Sequence, residues 1–356
     1  MLGNLPQFKL RVIGKVVALK PDFRALQILE TYSHHILACT KATAIVSEER
    51  IQTLWSGYGK ILRVRLEEGD WSSVIVKLVS PPTEKHHPRG WNTDIGHQRK
   101  LRSYQVEEAW YRHHAIASHH PKAFGWRTAQ FIFAKSGSED QALANRMIVM
   151  EDLNAAGYHL RKQAVTLDEI KSCLSWLAHF HASFLGKVPQ DLWEEGTYWH
   201  LETRPEELRV MRDGPLKRKA SAIDRTLKSC RYRTFVHGDA KLANFCFAVD
   251  GRVAAVDFQY VGGGCGMKDV AYFLSSCLDE DGCEKFEKEL LGHYFDVFRK
   301  ATQLDASECD QLEKEWRVLY PVAWADFVRF LEGWMPSHRK LHRYSRAMVD
   351  QAVSNL

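Results

Sequence analysis

The chain has 356 residues, 45% hydrophobic and 26% charged, a balance near the globular average that argues against disorder and suits two lobes. Its 49 Lys and Arg against 44 Asp and Glu leave a net charge of +5 with no dense basic block, so no nucleic acid partner is expected, while an anionic cosubstrate is compatible. No stretch approaches the roughly 18 apolar residues of a membrane span, residues 1–20 do not read as a secretory signal, and eight dispersed cysteines without a C-x-x-C pair suit reduced thiols in a cytoplasmic protein.

Apolar residues recur at helical spacing over Phe23–Ala38, predicting a first helix. Strand-like stretches follow at Arg50–Trp55, Lys60–Leu66 and Ser73–Val79, separated by S-G-Y-G and E-E-G-D-W turns. Ser80–Gln98, rich in Pro, Gly and His, reads as a loop. A helix over Arg99–Ala117 and strands over Thr128–Ala134 and Arg146–Met150 complete the first part. Helical periodicity then dominates, at Leu167–Leu185, Pro205–Cys230, Met267–Leu278, Cys283–Thr302, Ser307–Trp334 and Ser337–Val353, with one β-rich interruption at Thr234–Val256. This order predicts an α+β, two-lobed fold: an N-terminal antiparallel-sheet lobe over 1–153 and a mostly helical C-terminal lobe over 154–356.

The most informative stretch is F-V-H-G-D-A-K-L-A-N-F-C-F-A-V-D-G-R-V-A-A-V-D-F-Q, Phe235–Gln259. Asp239 is followed five residues later by Asn244, and Asp257 stands just after a short apolar strand. The strands F-C-F-A-V and V-A-A-V, joined by a tight turn at Asp250–Gly251, return Asp257 to the mouth of the loop that holds Asp239 and Asn244. Phosphoryl transfer from ATP needs a carboxylate to orient the attacking hydroxyl and a magnesium ion to bridge the phosphates. Magnesium takes oxygen ligands, only one or two of them from protein, so an Asn and an Asp beside the phosphates are chemically suitable.

His237-Gly238-Asp239-Ala240-Lys241-Leu242-Ala243-Asn244 resembles the H-x-D-x-x-x-x-N catalytic loop of the protein-kinase-like superfamily, and Asp257-Phe258-Gln259 resembles its D-F-G element. H-G-D in place of H-R-D and D-F-Q in place of D-F-G point to the aminoglycoside phosphotransferase and choline kinase group. The wording is most similar to that of the ecdysteroid kinase-like branch. The resemblance implies that Asp239 is the base or hydroxyl-orienting carboxylate and that Asn244 and Asp257 hold magnesium. It likewise implies that Lys241 contacts the transferring phosphate, that His237 scaffolds the loop, and that Asp269, in G-M-K-D-V-A-Y-F-L, braces its backbone.

A kinase-like fold also needs a lysine on its third strand paired with a glutamate on the next helix. Lys77 sits in V-I-V-K-L-V, where a lysine is costly to bury without a partner. Glu107 is the expected partner and Glu108 its competitor, in E-E-A-W-Y. Gly57 and Gly59, in S-G-Y-G-K between the first two strands, occupy the place of a phosphate-covering loop. Met150, Glu151 and Leu153, in M-E-D-L, resemble the segment that joins the lobes and meets adenine.

The adjacent histidines His86–His87, His113–His114 and His119–His120 lack metal-site spacing and read as solvated or packed side chains, and His179 and His181 as structural. Within the aromatic run Trp316–Trp334 most positions are core, but Trp324 and Asp326 are candidates for the acceptor side. The function expected is an ATP- and Mg2+-dependent kinase acting on a hydroxyl of a small molecule. The alternative is a pseudokinase or nucleotide-binding regulatory module, against which Lys77, Asp239, Asn244 and Asp257 are all present. A protein kinase is disfavoured, because only about ten residues separate Asp257 from the helix of Asp269, too short a stretch for a regulated activation segment.

Overall fold

A computed structural model of the chain describes residues 23–54, 57–81, 94–115, 125–136 and 146–356. Helix α1 (Phe23–Thr40) leads into strands β1 (Ala44–Thr53), β2 (Gly59–Glu67) and β3 (Ser73–Val79). Helix α2 (Asp94–Ala109) and strands β4 (Phe131–Ser136) and β5 (Arg146–Glu151) follow. The five strands form one antiparallel sheet in the order β1-β2-β3-β5-β4. β1 begins at Ala44, earlier than its apolar content suggests, because V-S-E-E-R-I forms an exposed edge where charge blunts pairing with other chains. β3 lies at the centre, with every position but Ile75 buried. Its side chains Val74, Val76 and Leu78 share a core with Leu62, Val64 and Ile36 of α1.

α2 starts inside the stretch that reads as a loop. His97 there is held by the Tyr58 hydroxyl, 2.5 Å from its Nδ1. The helix passes into a π-turn at Trp110–His114, short of the expected end at Ala117, which lies outside the described residues along with His86–His87 and His119–His120. Thr128 is not in a strand but bridges to Ala255, where its hydroxyl donates to the carbonyl at 2.9 Å.

The remainder is mostly helical: α3 (Leu167–Ser183), α4 (Pro205–Val210), α5 (Pro215–Lys228), α6 (Met267–Cys277), α7 (Glu280–Ala301), α8 (Ala306–Trp334) and α9 (Arg343–Asn355). α3 opens on a capping box in which Thr166 and Glu169 satisfy each other's backbone amides. It buries Ile170, Leu174, Leu177 and His181 on one face. The helix expected over Pro205–Cys230 is two helices. Extended Gly214 precedes Pro215, which suits the first turn of a new helix, and a residue before proline disfavours helical backbone.

Strands β6 (Thr234–Val236), β7 (Phe245–Phe247), β8 (Val253–Ala255) and β9 (Gly262–Gly264) make two small pairs, β6 with β9 and β7 with β8. β9 has no sequence signature of a strand, since it is three glycines. Its backbone passes so near Trp193 that a Cβ on Gly262 would stand 2.2 Å from the Trp193 carbonyl oxygen.

Aromatic stacking ties the two parts together. Phe258, the residue after Asp257, stacks on Trp110 at 4.6 Å, and Trp110 also meets Phe180 of α3 edge-on at 5.6 Å. The orientation of the D-F-Q element is therefore set by the core at the end of α2. Among the described residues no helix is long and apolar enough to cross a membrane.

Candidate functional site

The loop after β6 delivers Asp239. It turns at Gly238, whose φ of +80° suits glycine, and a Cβ there would lie 2.0 Å from the Tyr260 carbonyl oxygen. Asp269, fully buried on α6, accepts the His237 amide at 2.5 Å and the Gly238 amide at 3.0 Å. His181 stands 3.2 Å from the same carboxylate. The His237 ring accepts the Asp239 amide at Nδ1 (3.2 Å) and stands 3.0 Å from the Val256 carbonyl at Nε2. Burial pulls its pKa below the ordinary value, in keeping with a neutral ring that accepts at one nitrogen and donates at the other.

Three donors meet on the buried Asp239 carboxylate. The Tyr272 hydroxyl donates to Oδ1 at 3.2 Å, while Lys241 Nζ (2.8 Å) and Asn244 Nδ2 (3.0 Å) donate to Oδ2. Burial pushes the Tyr272 phenol well up, which keeps it a donor. Burial also opposes charge on Lys241, but the Asp239 carboxylate outweighs it and raises the ammonium.

Asp257 follows β8 with a φ of +69°, a strained conformation for a residue that carries a Cβ. Its Oδ1 accepts Gln259 Nε2 at 2.5 Å and lies 3.8 Å from Lys77 Nζ. Burial would raise this carboxyl, but Lys77, Lys241 and Lys100 outweigh it and hold it below the usual carboxylate range. Asn244 engages its amide nitrogen with Asp239, which leaves the amide oxygen as its remaining ligand atom. An amide oxygen and an ionised carboxylate form a hard, partial donor set that fits magnesium completing its shell with phosphate and water.

Lys77, 3% exposed, donates to Glu107 Oε2 at 2.5 Å. Glu108 faces away, toward Arg146 (2.5 Å) and Arg112 (2.9 Å), so Glu107 is the partner of the strand lysine. The glycine turn is closed on itself, with the Gly57 amide donating to Leu54 and the Leu54 amide to Gly59. Met150 and Leu153 are buried. Glu151 pairs with Arg127 and accepts the Gln130 amide at 2.9 Å. Asp152, passed over in the sequence, accepts Arg63 Nε and the Ser73 hydroxyl, both at 2.8 Å.

Trp324 is fully buried against Tyr344 and His342, and Asp326 is enclosed with Arg329 (2.8 Å) and Lys268 (3.8 Å). Phe327 of α8 packs on Tyr272, the residue bonded to Asp239, with ring centroids 4.9 Å apart. Helical rotation of about 100° per residue separates it from Asp326.

Several site residues were missed in the sequence. Tyr272 lies three positions after Asp269 in D-V-A-Y, on the same side of α6, and that spacing could have found it. Gln259 was marked in the sequence only as the residue in place of glycine in D-F-Q, with no role assigned. Its Oε1 accepts Lys100 Nζ (2.9 Å) and the Ser103 hydroxyl (3.2 Å), joining α2 to Asp257. Lys340 Nζ donates to the Ser275 hydroxyl at 3.1 Å and lies over the Tyr272 ring at 4.8 Å, and burial draws its ammonium down to about 8.

No curated protein matches the chain. Among solved structures it is similar to an amicoumacin kinase in complex with AMP-PNP and Ca2+ (15% identity, 92% of this chain and 95% of that one, TM-score 0.48). It is also similar to a microcompartment-associated aminopropanol kinase (14%, 92% and 94%, 0.49). A third similar structure is the choline kinase LicA from Streptococcus pneumoniae (12%, 92% and 98%, 0.47). The ecdysteroid kinase-like family model matches residues 97–190 and 197–305, more than half of the 356. The chain belongs to the ecdysteroid kinase-like family.

Proposed function

We propose that this protein transfers the γ-phosphate of ATP to a hydroxyl of a small molecule. The observation that carries the reading is the buried Asp239 carboxylate, which takes donors from Tyr272, Lys241 and Asn244 while the ionised Asp257 lies nearby, 3.8 Å from Lys77. In this reading Asp239 orients the acceptor hydroxyl and takes its proton as the oxygen attacks phosphorus. Lys241 neutralises Asp239 before the acceptor arrives and then follows the transferring phosphoryl group. Lys77, set by Glu107, holds the α- and β-phosphates. Asn244 and Asp257 hold Mg2+, which when bound screens the negative charge on the β- and γ-phosphates. The chain divides near Leu153, with the sheet side covering the nucleotide and the helical side receiving the acceptor. Its eight cysteines, all free thiols, are in keeping with a cytoplasmic setting.

Two isosteric variants test the assignment. Asp239→Asn keeps size and most hydrogen bonding but removes the proton acceptor, so turnover falls by about 10²–10⁴-fold with Mg-ATP affinity nearly unchanged. Asp257→Asn removes a metal ligand, so both Mg-ATP affinity and turnover fall. Calorimetry and slow background ATP hydrolysis read both quantities before an acceptor is known. Equal losses of nucleotide affinity in the two variants would mean that Asp239 is misassigned.

A further inference from the structure

A chain of aromatic rings leads outward from Asp239. Tyr272, bonded to the carboxylate, lies 5.7 Å from Tyr198, which lies 6.0 Å from Tyr260, itself stacked on Trp193 at 6.1 Å. Cations from two separate elements line this path. Arg204 lies over the Tyr198 ring at 5.7 Å and donates to the Tyr198 carbonyl at 2.6 Å. Arg99 of α2 donates to the carbonyl of Thr203, the neighbour of Arg204, at 2.5 Å, and Lys100 reaches Gln259, the neighbour of Tyr260.

The carboxylates of this region are already matched: Glu107 with Lys77, Asp239 with Lys241, and Glu207 with Arg204 at 3.1 Å. Asp257 is assigned to the metal. Among the described residues Arg99 and Lys100 form no ion pair, and Arg204, although it shares Glu207, lies close enough to Arg99 for each guanidinium to oppose the other's charge. Burial would raise the Tyr260 phenol, yet Lys100, Arg204 and Arg99 outweigh it and draw it below its ordinary value, as a positive local potential requires. The turn that presents Tyr198 is itself strained. Thr197 has a φ of +93° and is pinned by its amide to the Tyr260 carbonyl at 3.1 Å. Strain of this kind persists where surrounding structure enforces it and clusters at ligand sites.

We propose that the acceptor is an amphipathic hydroxy acid, whose flat or apolar body lies on Tyr198 and Tyr260 and whose oxyanion is held by Arg99 and Arg204, with its hydroxyl at Asp239. This rests on the phosphotransferase reading and adds the charge of the substrate to it. Arginine suits the role, because its planar fork matches an oxyanion and stacks on aromatic rings.

Three alcohols of one shape and different charge test the proposal on the full chain loaded with AMP-PNP and magnesium: 4-(hydroxymethyl)benzoate, 4-(hydroxymethyl)benzamide and 4-(hydroxymethyl)benzylamine. Ligand-observed NMR should give the benzoate about tenfold tighter binding than either of the others, as expected for charge-assisted hydrogen bonds. Arg99→Ala and Arg204→Met should each erase that preference while AMP-PNP affinity stays unchanged, and Arg99→Lys should retain part of it. Equal or tighter binding of the amine or the amide overturns the proposal. So does failure of all three to bind a protein that does bind AMP-PNP. Failure of magnesium and AMP-PNP to bind would sink the phosphotransferase reading instead, and the benzoate preference, present or absent, would still decide the anion site.

Discussion

Lys77 and Glu107 form an ion pair inside the sheet lobe, with side chains only 4% and 3% exposed. Removing one partner of a buried pair costs about 3–5 kcal/mol, because the other charge is left without a partner, whereas replacing both can be nearly neutral. Lys77→Met should therefore destabilise strongly, and adding Glu107→Gln should restore most of the melting temperature. The Michaelis constant for ATP should stay raised in both variants, since neither can hold the α- and β-phosphates. A double variant with normal ATP affinity would reduce the pair to a structural role. His200 makes a separate case at this scale. Among the described residues both its ring nitrogens are buried without a hydrogen-bond partner, and burial draws its pKa down to about 3. Between about pH 6.5, where the unfolded histidine titrates, and about pH 3 the unfolded chain binds the extra proton. Stability supplied by neutral His200 is thus fully present above about pH 6.5 and is lost as pH falls through that window. His200→Phe should flatten the decline of melting temperature between pH 6.5 and 4, and parallel pH profiles for wild type and variant would refute this.

At the scale of elements, Phe258 couples packing to the site. Its ring, one residue after Asp257, stacks on Trp110 and lies 4.5 Å from His237, which stands two residues before Asp239. Phe258→Ala should cost about 3–5 kcal/mol, as large-to-small core changes of this type do. It should also weaken Mg-ATP binding, because the strained backbone of Asp257 loses its anchor. A destabilised variant that keeps full nucleotide affinity, measured below its melting transition, would separate the two effects. The same element shows what the sequence made legible. The hairpin that returns Asp257 was readable from its tight turn between two short apolar runs, and Lys77 from its position in an apolar strand. β9 was not, because three glycines signal a turn and only close passage past Trp193 explains them. The first half of the edge strand β1 was hidden by its charges, so that only the stretch from Arg50 read as a strand. Gln259 and Lys100 were invisible as a pair because 159 positions separate them in the chain and only the fold joins them.

For the whole molecule, the sheet and the helical part meet through polar bridges rather than apolar contact alone. Lys77 lies 3.8 Å from Asp257, and Lys100 bonds to Gln259 at 2.9 Å. In the proposed reading a nucleotide with its metal would add to these bridges from both sides, and a ligand that binds only the folded state stabilises it by about 2.7 kcal/mol at a hundred times its dissociation constant. The most direct measurement of the central claim is the melting temperature of the full chain with ATP, with magnesium, and with both together. The account predicts that the combination raises it well beyond either component alone, and that Asp257→Asn removes most of the added rise. Equal shifts with ATP whether or not magnesium is present, or no shift at all, would contradict it.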